Sequence, residues 1–577
     1  MKKRIFAFVL CLVMLVPFAA GCSKEGTDED KGAIIPVYIT NPIYNLDPAI
    51  TYTNDETAKL IGLLFEGVTR ITDGGKVEKA MAKSWTTIEK AGEYKMQITL
   101  KNSKWSDGRE VSADDFIYAW KRILDPEFTS EAASLLFDIK NARLVKAGDA
   151  SIDDLGLAAV DSKVLEISFE GKIDYNEFLM NLASPALVPL REDIVVRSSD
   201  WAKKSSTIVT NGPFMLRTMD YGVKMTLERC AYYLRDADKD EKLTKYVRPY
   251  KLIVIYENDL AKQLEQFENG EIFYIGDIPL SERAAYAKKV KTQDLPSTHA
   301  YYFNLSNPLF EKEEVREALS IALDRNAIAN LVVFAKPATG LVPYGVMSAT
   351  KAKDSFRAKS GNLISASANL DAAKSLLESA GVSGGSFSVT VKGDNEVDKA
   401  IAEYAKGVWE SLGFKVSIKE ITAMETMSGY FNDRFVSAYY AGDFDVIAID
   451  MQALSADAFG VLAPFALAFS GHAIDMENKN YEQQPHITGF DDEEYNAKIE
   501  EAFAEKDISK RAAILVEAEK ILVDRMPVIP VVFNVDAYMV NGKFSNVKST
   551  WFGARDLRKA KLSGYEELKP GYEELGY

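Results

Sequence analysis

Hydrophobic and polar positions along the chain fall into two periods. Tyr94-Lys95-Met96-Gln97-Ile98-Thr99-Leu100 alternates, as a strand with one buried face does, and Val164 to Phe169 repeats the pattern. Leu252-Ile253-Val254-Ile255-Tyr256 and Phe444 to Ile449 are short apolar runs rich in β-branched residues, which predicts strands buried on both faces. Ala33–Thr40, Lys224–Arg229, Glu271–Ile275 and Val528–Phe533 read as further strands. Helical spacing appears in Leu60, Ile61, Leu64 and Phe65 behind a Thr53-Asn54-Asp55-Glu56 capping box. It appears again in Phe116, Ala119, Trp120, Ile123 and Leu124 behind Ser112 and Asp115. Leu260–Phe267, Glu313–Asp324 and Ala512–Leu522 are predicted helices, and Asp371 is expected to cap another that Gly381 stops. Lys336–Gly361, rich in Pro, Gly, Ser and Lys, reads as a loop region. Phe387–Val391, a long helix ending at Leu412-Gly413, and Phe414–Ile418 make a strand-helix-strand unit, which implies a parallel pair with a crossover helix. The chain is therefore expected to be α/β.

Length and charge narrow the picture. At roughly 150 residues per domain, 577 residues imply several domains. A formal net charge of −16 argues against nucleic acid as a partner, because phosphate contact needs clustered Lys and Arg. Lys2, Lys3 and Arg4 precede an apolar core from Ile5 to Val16, and Ala19-Ala20-Gly21 precede Cys22. This is the pattern of a bacterial lipoprotein signal, residues 1–21, cleaved before a cysteine that is then lipidated. Residues 22–33 are polar and acidic, as a flexible tether would be. With Cys11 in the signal and Cys22 lipidated, Cys230 has no disulfide partner in the chain and is expected to be a small core residue.

Catalytic motifs are scarce. Gly381-Val382-Ser383-Gly384-Gly385 spells G-x-S-x-G, but a helix precedes it and a strand follows, the reverse of a nucleophile elbow. The only histidines are His299, His472 and His486. The last two have Asp475, Glu477 and Glu482 nearby, but the spacing matches no metal motif, so they read as surface-loop residues. No Gly-rich phosphate loop with a following Lys is present. The sequence thus points to binding without turnover, with no metal and no cofactor.

The pieces, taken in order, resemble the extracytoplasmic solute-binding proteins of peptide ABC importers. The resemblance is carried by Leu46-Asp47-Pro48, Leu64-Phe65-Glu66-Gly67, Ala82-Lys83-Ser84-Trp85, Lys104-Trp105-Ser106-Asp107-Gly108 with Ser112 to Phe116, and Asn211-Gly212-Pro213-Phe214. Val315-Arg316-Glu317-Ala318-Leu319 through Ala322-Leu323-Asp324-Arg325 and Ala372-Ala373-Lys374 with Leu376-Leu377 complete it. It implies a two-lobed type II periplasmic-binding-protein-like α/β fold with an extra inserted α+β domain. One lobe would combine residues 34–65, 190–300 and 529–577, the inserted domain would span 66–189, and the second lobe 301–528. The lobes would close over a peptide or peptide-like solute and deliver it, as a monomer tethered to the membrane by lipid, to permease and ATPase subunits; the alternative is a binding or sensing lipoprotein with no import partner.

The same resemblance places ligand contacts at Tyr52, Asn54, Tyr302, Met451, Gln452, Phe533 and Asn534, and Asp450 is a candidate from its place near the strand exit. The family's carboxylate for the peptide α-ammonium falls at Leu454, a residue that accepts neither a proton nor a hydrogen bond. The pattern reads Leu454-Ser455-Ala456-Asp457-Ala458, with only Asp457 retained. Three readings follow. Asp457 or Asp450 supplies the carboxylate from a shifted position; the ligand has no free amine there; or the solute belongs to another class, such as an oligosaccharide. Against the last, Trp85, Trp105, Trp120 and Trp409 fall in scaffold segments. The plainer role for Asp457 is an acid at a helix N-terminus beside Ser455.

Overall fold

The computed structural model describes residues 32–577, apart from 40–41, 54, 73, 235–241, 349–350, 428, 430, 475–482 and 575. Two long strands organise it, Lys291–Phe303 and Val528–Val540. They pair antiparallel from Lys291↔Tyr538 to Asp294↔Val535, break register, and pair again from Thr298↔Phe533 to Tyr302↔Val528. The first stretch belongs to one lobe and the second to the other, so both connections between lobes are continuous strands. Pro296 falls in the register break, where its missing N–H costs the ladder nothing. The expected lobe boundaries at 300/301 and 528/529 therefore lie inside these strands.

In the first lobe Ile34–Ile39 runs parallel to Lys251–Tyr256, which pairs antiparallel with Lys224–Arg229, itself paired with Phe214–Asp220. In the second lobe Val446–Gln452 lies beside the first crossover strand, followed by Gly385–Lys392 and Phe414–Ile421. The last two are parallel, joined by the helix Glu396–Ser411, as the strand-helix-strand pattern required. Val446 and Ala448 pack into one core, Ile447 and Ile449 into another. A strand with a core on each face needs no polar alternation, which explains its unbroken apolar run. Between residues 66 and 189, Ala82–Lys90, Glu93–Leu100, Val164–Ser168 and Leu157–Asp161 form a separate four-stranded antiparallel sheet. Met96, Ile98 and Leu100 are buried on its inner face. Asp115 accepts from the Ser112 backbone N–H at 2.9 Å, starting the helix Ala113–Leu124.

Several local expectations are corrected. The strand Lys291–Phe303 was not expected: its polar, Pro-containing Lys291–Ala300 stretch carries no strand periodicity. Glu313–Ile321 ends before Asp324, whose carboxylate instead caps Arg325–Val332 by accepting from Ala327 N at 2.9 Å. Asn369, not Asp371, caps Leu370–Ser379. Glu271–Ile275 contracts to Tyr274–Ile275, and the loop region contains a small pair, Met347–Ser348 with Lys351–Ser355. The capping box before Leu60 includes Asn54, which lies outside the described residues. Cys230 is buried just beyond its strand. No helix among the described residues is long and apolar enough to cross a membrane.

Aromatic and hydrogen-bond contacts join the lobes. The Phe431 ring of the second lobe lies 5.1 Å from Tyr44 and 5.5 Å from Tyr221 of the first, each aromatic pair worth about 0.5–1.5 kcal/mol. Leu280 N donates to Glu396 Oε1 across the lobes at 2.8 Å.

Candidate functional site

The apolar run predicted from Phe444 is a strand from Val446 to Gln452, so Asp450, Met451 and Gln452 still belong to the sheet. They pair with His299, Thr298 and Ser297 of the first crossover strand. Side chains alternate across a strand, which puts Asp450 and Gln452 on one face and Met451 on the other. Asp450 and Gln452 line a cavity of about 180 Å³ between the lobes, with His299, Asn534 and the start of the Glu396–Ser411 helix. Met451 packs into the core.

Asp450 is the centre of this wall. Its Oδ1 accepts from His299 Nδ1 at 3.0 Å and from Asn534 Nδ2 at 2.9 Å; its Oδ2 has no partner among the described residues. Asn534 Nδ2 also donates to Ser297 Oγ at 2.9 Å, which fixes the amide against the hinge. Burial alone would raise the Asp450 carboxyl. The hydrogen bond and charge of His299, the charge of Lys392 and the Asn534 donor together hold it well below the usual carboxylate range. For His299 burial works downward, but the Asp450 hydrogen bond and the charges of Asp450 and Asp398 raise the imidazole overall. Asp398 Oδ1 stands 3.8 Å from the same ring nitrogen. Two cavity-lining side chains have buried polar atoms without a hydrogen-bond partner, His299 Nε2 and Gln452 Oε1. One ligand atom each of His299, Asp398 and Asp450 lie within 4.8 Å of one another, close enough for a metal ion. An imidazolium held between two carboxylates accounts for the same geometry, and the charge of Lys392 on these groups opposes a further cation inside the cluster.

The other expected contacts stand elsewhere. Leu454 is buried in the core, which is why an apolar residue suits the position. Asp457 is only 4% exposed. Its Oδ1 accepts from Phe459 N at 2.8 Å and lies 3.3 Å from Arg511 Nη1, and Arg511 pairs in turn with Glu177 of the inserted domain. The reading of Asp457 as the ammonium anchor is corrected: its charge is already neutralised, and it does not line the cavity. Tyr302 packs among Tyr439, Phe465 and His486, and Phe533 meets Tyr344 edge-on; both are core residues rather than cavity wall. Tyr52 lies in the 3-10 turn Pro48–Thr53. Asn54 and Cys22 are outside the described residues.

One histidine is also corrected. His486 is buried against the Phe465 ring at 4.2 Å, so it is not the surface residue expected, while His472, 6.4 Å away, is a half-buried loop residue. Burial, and then the charge of Lys146, holds His472 down to about 4. Asp475, Glu477 and Glu482 lie outside the described residues. The residues missed by sequence reasoning are His299 and Asp398. Only the pairing of strands about 150 positions apart brings His299 to Asp450, a separation no local pattern encodes.

A cavity between two lobes, walled by both and hinged on two continuous strands, defines a type II solute-binding protein. The chain belongs to the bacterial extracellular solute-binding proteins, family 5: the model of the family's middle segment matches residues 76–471. The oligopeptide-binding protein OppA of Bacillus subtilis is 26% identical over 565 residues, covering 95% of this chain and 97% of that protein. The dipeptide-binding protein DppE of the same organism is 27% identical over 552 residues, covering 93% and 94%. Among solved structures, OppA of Listeria monocytogenes bound to peptide superposes with a TM-score of 0.77 at 20% identity, covering 92% of this chain and 99% of that one. The chain is a solute-binding receptor by family and by fold.

Proposed function

We propose that the protein is the extracytoplasmic receptor of an ABC importer, lipidated at Cys22, which captures peptides in the interlobe cleft and passes them to permease and ATPase subunits. The observation that carries this reading is the free Oδ2 of Asp450 at a cavity wall, on a carboxylate held ionised by His299 and Asn534. An α-ammonium taken out of water needs an opposite charge, and Asp450 offers it where Leu454 does not. Gln452, two residues along on the same face, offers an acceptor to a peptide N–H. Binding energy from closure comes from excluding water around these groups. The peptide chemistry of the OppA and DppE relatives supports the same ligand class. No Trp lines the cavity among the described residues, which favours a peptide over an oligosaccharide.

Native mass spectrometry of protein purified from its own source, with uptake of labelled peptides in a deletion strain, tests the reading. Peptide masses on the intact protein and lost uptake are expected. A non-peptide solute in the cleft, or unchanged uptake, would overturn it.

A further inference from the structure

The cavity wall is unbalanced in charge. Asp277, Asp394, Glu396, Asp398, Asp450 and Asp536 line it, against Lys59 and Arg283 as its only lysine and arginine among the described residues. Arg283 is already paired with Asp277 at 2.8 Å. Asp536 is neutralised by Arg555. Asp398 and Asp450 both stand beside the His299 ring. Glu396 receives Leu280 N across the lobes. Glu396 is exposed, so the half-buried acid left with no ion pair among the described residues is Asp394, at the start of the long helix. Lys392 is close enough to lower Asp394 somewhat, yet burial outweighs it and raises the carboxyl overall; Lys392 does not line the cavity.

The unfilled hydrogen-bonding atoms point the same way. His299 is 1% exposed and its Nε2 has no partner, and the buried Oε1 of Gln452 can only accept. With Nδ1–H directed at the Asp450 carboxylate, the imidazolium of His299 presents Nε2–H as a donor that a ligand carbonyl can fill. A wall with surplus carboxylates and the unfilled Gln452 acceptor suits a ligand with cationic N–H donors, and the His299 donor suits a carbonyl beside them. It suits a carboxylate-rich ligand poorly, because like charges brought together out of water repel.

We propose that this cleft selects positively charged solutes, and that Asp394 is the residue that meets a second cationic group of the ligand beyond the one held by Asp450. The proposal rests on the peptide-receptor reading for the identity of the solute, and on the cavity wall for its charge. A lysine-containing peptide and a polyamine share the chemistry required.

Isothermal titration of the full-length mature chain with length-matched peptides bearing Lys, Ala or Glu at one internal position, and separately with spermidine, tests it. The Lys peptide is expected to bind at least about tenfold more tightly than its Glu twin, and Asp394→Asn to shrink that ratio to about threefold or less while the Ala peptide is little changed. The ratio is the readout, because a variant that only disturbs packing lowers all three affinities together; thermal melting confirms that Asp394→Asn is folded. Spermidine binding with no peptide binding keeps charge selection and removes the peptide reading. Peptide binding with equal affinity across the series overturns charge selection and leaves the peptide reading in place. Binding of none of these probes overturns both.

Discussion

Two carboxylates close in sequence, Asp450 on the strand Val446–Gln452 and Asp457 beyond its end, stand in opposite circumstances. Asp450 stands at the cavity with one oxygen engaged by His299 and Asn534 and the other without a partner. Asp457, a little further along, has its charge matched by Arg511, whose guanidinium also lies over the Phe459 ring at 4.8 Å and reaches Glu177 in the inserted domain. Burial pushes Glu177 upward, and Arg511 opposes the push, so the pair of acids is tolerated only because the cation is there. The first carboxylate has a valence left over for a ligand. The second has none, and works as a rivet between the second lobe and the inserted domain. Nearness to a strand exit made the two look equivalent; the count of filled partners separates them.

Substitutions break this comparison at different strengths. Arg511→Ala leaves Asp457 and Glu177 as uncompensated buried charges, and is expected to cost about 3–5 kcal/mol in denaturant unfolding. The folded fraction should still bind ligand. Restoring the family's acid with Leu454→Asp puts a carboxylate among core side chains with no donor in place. A loss of about 2–4 kcal/mol of stability is expected, with no gain in ligand affinity, as read by melting and titration. Asp450→Asn keeps the shape but removes the charge, and should weaken a free-amine peptide by about 2 kcal/mol or more. The same variant should leave the affinity of an N-acetylated peptide nearly unchanged.

The smallest expected effect is on pH. Because Asp450 is held below the usual carboxylate range, it stays ionised as pH falls from 7 to 5, and the ligand α-ammonium stays protonated there. Affinity should therefore vary by less than about threefold over that interval, and fall only above about pH 8, as the ammonium deprotonates. A steep loss of affinity between pH 7 and 5 would mean that an acid with an ordinary or raised pKa carries the contact instead.

Much of the scaffold was legible because it obeys local rules. The parallel pair Gly385–Lys392 and Phe414–Ile421 follows from a strand-helix-strand pattern, and the doubly buried strand from its unbroken β-branched run. The crossover strands were half visible. Val528–Phe533 has strand composition, while Lys291–Ala300 has none, because its partners are supplied by distant strands rather than by its own periodicity. The site was less legible still. Asp450, Gln452 and Asn534 line the cavity, whereas Tyr302, Met451 and Phe533 are buried away from it, since a strand alternates and sequence alone does not say which parity looks outward. His299 and Asp398 come from a strand and a helix that meet only in the folded sheet.

Asp450 is the proposed partner of the ligand's α-ammonium, a role Leu454 cannot fill. The most direct measurement is the calorimetric affinity of one peptide and its N-acetylated twin for the wild-type protein and for Asp450→Asn. Acetylation is expected to cost the wild type at least about tenfold and the variant almost nothing, because the carboxylate that distinguishes the two peptides is gone. An equal acetylation penalty in both proteins, or none in the wild type, would contradict the assignment.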